Sequence, residues 1–127
     1  MPNRRLVSKE LADLFGVLAN PDRIRIIEEL RNGEVDVNGL QHALDVPQSR
    51  ISQHLALLRA HRIVSERRDG RHVYYHLQQP SLAAWIVQGL DFSGGEVGFG
   101  EQMREAIEEV RTIWSPAPGR ETEEALG

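Results

Sequence analysis

Residues 47–77 read PQSRISQHLALLRAHRIVSERRDGRHVYYHL and combine a helical pattern with a strand pattern. At 100° per residue, Ile51, Leu55 and Leu58 fall within a narrow arc, which predicts a helix over about 48–60 with that arc facing the core. The segments RIVSERR and RHVYYHL that follow are rich in strand-forming residues. They are joined at Asp69-Gly70, a dipeptide favoured in tight hairpin turns. The stretch therefore predicts a helix followed by a β-hairpin.

Three helices are predicted before this stretch. The segment VSKELADLFGVLA has apolar residues at helical spacing and Ser8 as its N-cap. The segment PDRIRIIEELRNG begins with Pro21, a favoured first helical residue, and VNGLQHAL forms a third, shorter helix. Short helix, turn, longer helix and hairpin together make a mainly α fold with a small β-hairpin wing (α+β), the winged helix-turn-helix.

The C-terminal part has a different pattern. Four glycines in residues 91–100 interrupt any continuous helix, and an apolar stripe over 99–114 then predicts an amphipathic helix. We predict a DNA-binding core with an N-terminal dimerisation helix over 1–90. A glycine-rich loop and C-terminal helix over 91–114 would serve dimer packing or an effector pocket near Trp85. We predict a disordered tail over 115–127.

Composition narrows the classes of protein. The 127 residues contain no cysteine, which excludes disulfides, thiolate metal sites and thiol chemistry. No apolar run approaches the roughly 20 residues of a membrane span, and the first residues lack the apolar core of a signal peptide. A cytoplasmic protein without a membrane partner is therefore expected.

The charge is distributed unevenly along the chain. The net charge is −4, yet residues 47–76 hold six basic and two acidic residues, while 91–127 hold three and nine. A local basic segment in an acidic protein indicates a small footprint on an anionic partner.

The helix over 48–60 carries a face suited to close approach. Ser49, Ser52, Gln53 and Ala56 lie opposite the apolar arc, with Arg50 on the flank, and no acidic residue interrupts them. We expect this helix in the major groove of DNA and the hairpin along the backbone or in a minor groove. The candidate DNA-binding residues are Gln48, Ser49, Arg50, Ser52, Gln53, Arg67, Arg68, Arg71 and His72.

A second interpretation exists for two of the wing arginines. Arg67 or Arg68 could instead pair with Glu66 or Asp69 on the surface, as many exposed charges do.

The sequence resembles the ArsR/SmtB-type winged-helix repressors over about residues 8–90. The resemblance rests on LANPDRIRIIEEL, on Gln-Ser-x-x-Ser-x-His-Leu at 48–55 and on a strand, Asp-Gly-Arg and strand wing. It implies a homodimer whose first and fifth helices pair, a roughly palindromic double-stranded DNA operator, and repression relieved by an effector. Together with the apolar stripe, it gives the dimer-interface candidates Leu11, Leu14, Leu18, Leu82, Trp85, Ile86, Met103 and Val110.

The chain departs from the metal-binding patterns of that family. Asp36 and Asn38 stand where a Cys-x-Cys site would begin, and the fifth-helix ligands are replaced by Gln79, Ser81, Phe92 and Gly95. His72 and His76 are separated by about 13 Å of strand, too far to chelate one ion unaided. We therefore predict no cofactor and no metal at the usual family sites. A small-molecule effector and a histidine metal site that bridges a dimer are left open. His54 matches a position that buttresses the helix.

Two other functional classes are an enzyme and a protein-interaction module. The chain lacks Walker-type and Rossmann glycine motifs, so an enzyme is not expected. The alternative is a winged-helix protein-interaction module in which the polar helix and hairpin bind a protein.

Overall fold

The computed structural model describes residues 2–92 and 100–114, with side chains for 3–92 and 100–113. In chain order, these residues form α1 (Pro2–Leu18), α2 (Pro21–Glu29), β1 (Val35–Asp36), α3 (Val37–Leu44), α4 (Gln48–Ala60), β2 (Val64–Asp69), β3 (His72–Leu77), α5 (Leu82–Gln88), a 3₁₀ helix (Gly89–Phe92) and α6 (Glu101–Trp114). The mainly helical winged helix-turn-helix fold is confirmed. None of the helices in the described ranges is long and apolar enough to cross a membrane.

The chain divides into two compact units, Met1–Pro80 and Ser81–Gly127. The predicted domain bounds 1–90, 91–114 and 115–127 stay predictions. Most of the glycine-rich loop and the predicted tail, including Gly95 and Phe99, lie outside the described residues.

The core of the first unit joins α2, α3, α4 and the sheet. Side chains from all four are essentially inaccessible to water, because the apolar faces of the helices converge: Ile26, Ile27, Leu30, Leu40, Ile51, Leu55, Leu58 and Val64. Burial of this kind contributes roughly 1.5–3 kcal/mol per large side chain. The core therefore sets the orientation of α4.

The wing is the hairpin of β2 and β3, residues 64–77, and it belongs to a three-stranded antiparallel sheet of order β1-β3-β2. Asp69 pairs with His72, so the turn residues are Gly70 and Arg71 rather than Asp69 and Gly70. Gly70 has a φ of +62°, a conformation that glycine adopts at little cost. The third strand, β1, was not predicted. Val35 of β1 pairs with Tyr75 of β3.

The starts of the first two helices show where local patterns succeed and fail. Asn20 caps α2, because its Oδ1 accepts a hydrogen bond from the Arg23 N–H at 3.1 Å, and Pro21 occupies the first turn. The prediction of Ser8 as the N-cap of α1 is wrong. The helix already begins at Pro2, and the Ser8 hydroxyl donates to the Arg4 carbonyl one turn earlier at 3.0 Å.

The start of α3 depends on a similar cap. The Asp36 Oδ1 accepts a hydrogen bond from the Gly39 N–H at 2.7 Å. A Cβ on residue 39 would lie 2.7 Å from Val35 Cγ1, so any larger residue would force the Val35 side chain to move. Asp36 thus joins the edge strand to the first helix of the helix-turn-helix.

Asp36→Ala is expected to lower the free energy of unfolding by about 1 kcal/mol, because it removes this cap. Urea unfolding followed by circular dichroism measures the loss. Asn38→Ala is the matched control, since Asn38 is an exposed residue of the same helical turn. Equal losses in both variants would contradict the capping role.

Candidate nucleic-acid interface

Helix α4 has one fully buried face and one exposed polar face. Ile51, Leu55 and Leu58 are at most 1% exposed, as the periodicity predicted. The outer face of α4 is formed by the exposed polar residues of its first two turns, and none of them is acidic: Gln48, Ser49, Arg50, Ser52 and Gln53. No described side chain caps α4, which begins after Pro47. The polar face and the N–H groups of Gln48 and Ser49 are therefore both available to an anionic partner, while the Arg50 N–H already donates to the Pro47 carbonyl.

His54 lies on the side of α4 that faces α2. Its Nε2 atom is 3.6 Å from the Asp22 Oδ2 atom, and its side chain is 14% exposed. Asp22 stands in the first turn of α2. His54 therefore braces α4 against α2 and does not belong to the outer face, in line with the buttressing role expected for it.

The tip of the wing carries exposed polar and basic groups. Arg71 and His72 both lie at the turn and are exposed. The His72 ring stands 6.1 Å from the Tyr74 ring at an angle of 34°. Among the residues that the structure describes, Arg50, Arg62 and Arg71 form no ion pair, whereas Arg68 Nε lies 3.9 Å from Glu66 Oε1.

Arg67 is held by a residue far away in sequence. Its Nε–H donates to both oxygens of Glu34, at 2.9 and 3.1 Å, and its guanidinium carbon lies 4.9 Å from the centre of the Tyr74 ring. The Arg67 Nη1 atom also lies 3.9 Å from Asp69 Oδ2. The sequence suggested Asp69 as a partner but missed Glu34, because β1 is too short to show a pattern.

The same contact changes the acidity of both groups. The hydrogen bond from Arg67 lowers the pKa of the Glu34 carboxyl below its ordinary value. In return, the hydrogen bond to Glu34 raises the pKa of Arg67. Both groups therefore stay charged across the neutral range, and Arg67 is partly neutralised before it meets any external anion.

The dimer-interface candidates differ in exposure. Leu18 is 7% exposed and buried in the protomer, while Leu14 is half-buried and Leu11 is 45% exposed. In the second unit, Trp85 and Met103 are 45% and 49% exposed. Leu82, Ile86 and Val110 are half-buried there. Leu11 and Leu14 are thus the candidates on α1 that reach the surface.

The positions that correspond to metal ligands in the family have other roles or are exposed in this structure. Asp36 caps α3, and Asn38 is exposed. Within residues 2–92 and 100–114, no three His, Asp or Glu side chains lie close enough to hold one ion. In the second unit, Arg111 Nη2 donates to Asp91 Oδ1 at 2.5 Å.

Comparison with known proteins agrees with this geometry. The family model described as "Bacterial regulatory protein, arsR family" matches residues 20–66. The HTH-type transcriptional repressor SmtB of Mycobacterium tuberculosis is 37% identical over 93 residues, which cover 73% of this chain and 69% of the relative. The arsenical resistance operon repressor of Escherichia coli is 40% identical over 79 residues, 61% of this chain and 67% of the relative. The crystal structure of NolR from Sinorhizobium fredii superposes with a TM-score of 0.65 at 31% identity, covering 74% of this chain and 94% of that one.

Replacing Arg67 by Gln is expected to raise the pKa of Glu34, because the hydrogen bond that lowers it is lost. The pair stabilises the fold above the ordinary carboxyl pKa, and this contribution is lost as the pH falls through the lowered pKa of the folded state. A ¹³C NMR titration of the side-chain carboxyls measures the shift. Arg71→Gln at the exposed tip is the control, and an unchanged Glu34 titration in Arg67→Gln would contradict the assignment.

Proposed function

The chain belongs to the ArsR family of bacterial regulatory proteins and is a DNA-binding transcriptional regulator rather than an enzyme, and we propose that it acts as a homodimeric repressor of a roughly palindromic operator. The observation that carries the proposal is the outer face of α4, which is polar, free of acidic groups and opposite a fully buried face. In this proposal the protein acts on chromosomal DNA and is therefore cytoplasmic.

The proposed base contacts come from the N-terminal half of α4. Gln53 and Gln48 carry amide groups that can bind adenine through one donor and one acceptor, and Ser49 and Ser52 are short enough to admit close approach. The backbone N–H groups of Gln48 and Ser49, at the uncapped helix start, favour a phosphate of the flanking strand.

The proposed backbone contacts form a graded set. Arg50 and Arg71 have no ion pair among the described residues and are offered as the strongest phosphate contacts, with His72 beside Arg71. Arg68 ranks next, because its Nε atom lies as far as 3.9 Å from Glu66 Oε1 and the ion pair is therefore weak. Arg67 must exchange Glu34 for a phosphate, so we assign it the smallest share.

Exposed apolar side chains support the proposed dimer. On α1, Leu6, Val7, Leu11 and Phe15 are 45–66% exposed. Apolar surface of this extent on a small protein typically marks an interface. A two-fold dimer through α1 and α5 would place its two α4 helices on half-sites about one turn of DNA apart.

The effector of the proposed repressor is a small molecule rather than a metal at the usual family positions. Asp36 supports this proposal because its carboxylate is already used in capping α3. The place we propose for an organic effector is the second unit, beside Trp85. Phe99, at the start of the apolar stripe over 99–114, lies outside the described residues.

The test begins with an operator selected by the wild-type protein from a random DNA library. Fluorescence anisotropy then compares the selected duplex with a scrambled one at two salt concentrations, with and without zinc or nickel. Tight, selective, salt-sensitive binding that ignores metal supports the proposal. Release by metal would overturn the effector assignment, and equal weak binding to both duplexes would favour the protein-interaction module.

Gln53→Ala is expected to change operator choice, because it removes a proposed base contact. The expected loss is about 1–3 kcal/mol at the contacted base pair, with little change on scrambled DNA. Repeating the selection with the variant identifies the position that has lost its preference. An equal loss on both duplexes would remove Gln53 from the base-reading set.

Arg71→Gln is expected to weaken binding to every sequence and to reduce the slope of log K against log salt by about two, one for each protomer of the dimer. Arg67→Gln is the matched comparison, since it removes the same charge from the wing. It should cost less, because Glu34 already neutralises Arg67. A larger effect for Arg67 than for Arg71 would contradict the graded set.

A further inference from the structure

One carboxylate connects α4 to the wing. Glu66 of β2 has a side chain that is 17% exposed, and its Oε1 atom lies 3.1 Å from Arg59 Nη1 in the last turn of α4. The same oxygen is 3.9 Å from Arg68 Nε on the wing. Glu66 therefore bridges the two elements that the proposed function brings to DNA.

Tyr75 completes this group, which we call the Glu66 cluster: Glu66, Arg59, Arg68 and Tyr75. Tyr75 stands directly opposite Glu66 in the β2–β3 register. Burial raises the pKa of Tyr75, and so do the charge of Glu66 and a hydrogen bond to it. Tyr75 therefore lies beside the Glu66 carboxylate, on the neighbouring strand of the wing.

The backbone at this junction is short. Helix α4 ends in a Schellman motif, in which the Ile63 N–H donates to the Leu58 carbonyl at 2.9 Å and the Arg62 N–H donates to the Arg59 carbonyl at 3.0 Å. Arg62 has a φ of +59°, the left-handed conformation that usually calls for glycine. Only residues 61–63 separate α4 from β2, so the Glu66–Arg59 contact spans the point about which the wing would pivot.

We propose that Glu66 is a positioning residue for operator discrimination, which fixes the angle of the wing relative to α4 so that base contacts and backbone contacts are made together. This inference rests on the proposed function. Glu66 does not attract DNA itself, since its negative charge repels phosphate. On charge alone, its removal would strengthen DNA binding. A loss of discrimination on its removal therefore separates positioning from simple electrostatics.

Glu66→Gln is expected to lower the ratio of operator to scrambled-DNA affinity by about five- to tenfold, within the range for residues of one ion-pair network. Its affinity for the scrambled duplex should stay within about twofold or rise. Asp69→Asn is the matched control. This variant makes the same charge change on β2. Asp69 is 74% exposed, and its ion pair is to Arg67 of the same strand, so it makes no contact with α4 through that pair.

A second readout needs no DNA. Residual dipolar couplings of the wing amides, fitted to the alignment of α4, report the relative orientation of the two elements in the free protein. In Glu66→Gln the wing couplings should no longer fit the alignment of α4. In Asp69→Asn they should fit it as well as in the wild type. If the wild type fails to distinguish the two duplexes, the proposed function fails, while the couplings still test the role of Glu66.

Three outcomes would overturn the inference: an equal fall on both duplexes, an equal fall of the ratio in Asp69→Asn, or unchanged couplings in Glu66→Gln. Circular dichroism melts verify that each variant is folded. If Glu66→Gln does not fold, Arg59→Gln breaks the same contact from the helix side and should lower the ratio and scatter the couplings in the same way. Wild-type behaviour of that variant would equally reject the role.

Discussion

The burial of one face of α4 is the constraint on which the rest of the interface depends. Ile51, Leu55 and Leu58 pack in a core that also contains side chains of α2 and α3. Because a helix repeats every 3.6 residues, burying these three directs Ser49 and Gln53 to the opposite side. Rotation of α4 about its axis would expose apolar groups worth several kcal/mol, so the core also determines which side chains can reach a groove.

Charge in the wing is balanced more closely than its composition suggests. Glu34 partners Arg67, and Glu66 partners both Arg59 and Arg68. Such pairing limits the sequence-independent attraction to phosphate that dominates non-specific binding. In an acidic protein of net charge −4, few of the described arginines of α4 and the wing are then without an ion pair, and the proposed DNA contacts depend on how α4 and the wing are oriented.

Local patterns predicted the elements that carry their own signals. The 3.6-residue period marked α4, and the strand-turn-strand pattern marked the wing. The two-residue strand β1 has no period to detect, so neither it nor the Glu34–Arg67 contact, which joins residues 33 apart, could be predicted. The N-cap at Ser8 failed because serine fits a cap by type, while the helix continues past it towards the N-terminus. Leu18 matched the apolar pattern of α1 equally well for core and for dimer packing, and only the fold distinguishes its burial from the exposure of Leu11.

The strand order β1-β3-β2 leaves β2 at the edge of the sheet, where unpaired backbone groups can recruit a strand from another molecule. Four consecutive charged residues, Glu66 to Asp69, occupy this edge. The charged side chains on two such edges would have to lose bound water before the edges could pair, so the edges resist joining into a continuous sheet. The arginine-rich wing therefore also protects the protein from aggregation, and a variant that replaced these residues with apolar ones would lose that protection whatever its affinity for DNA.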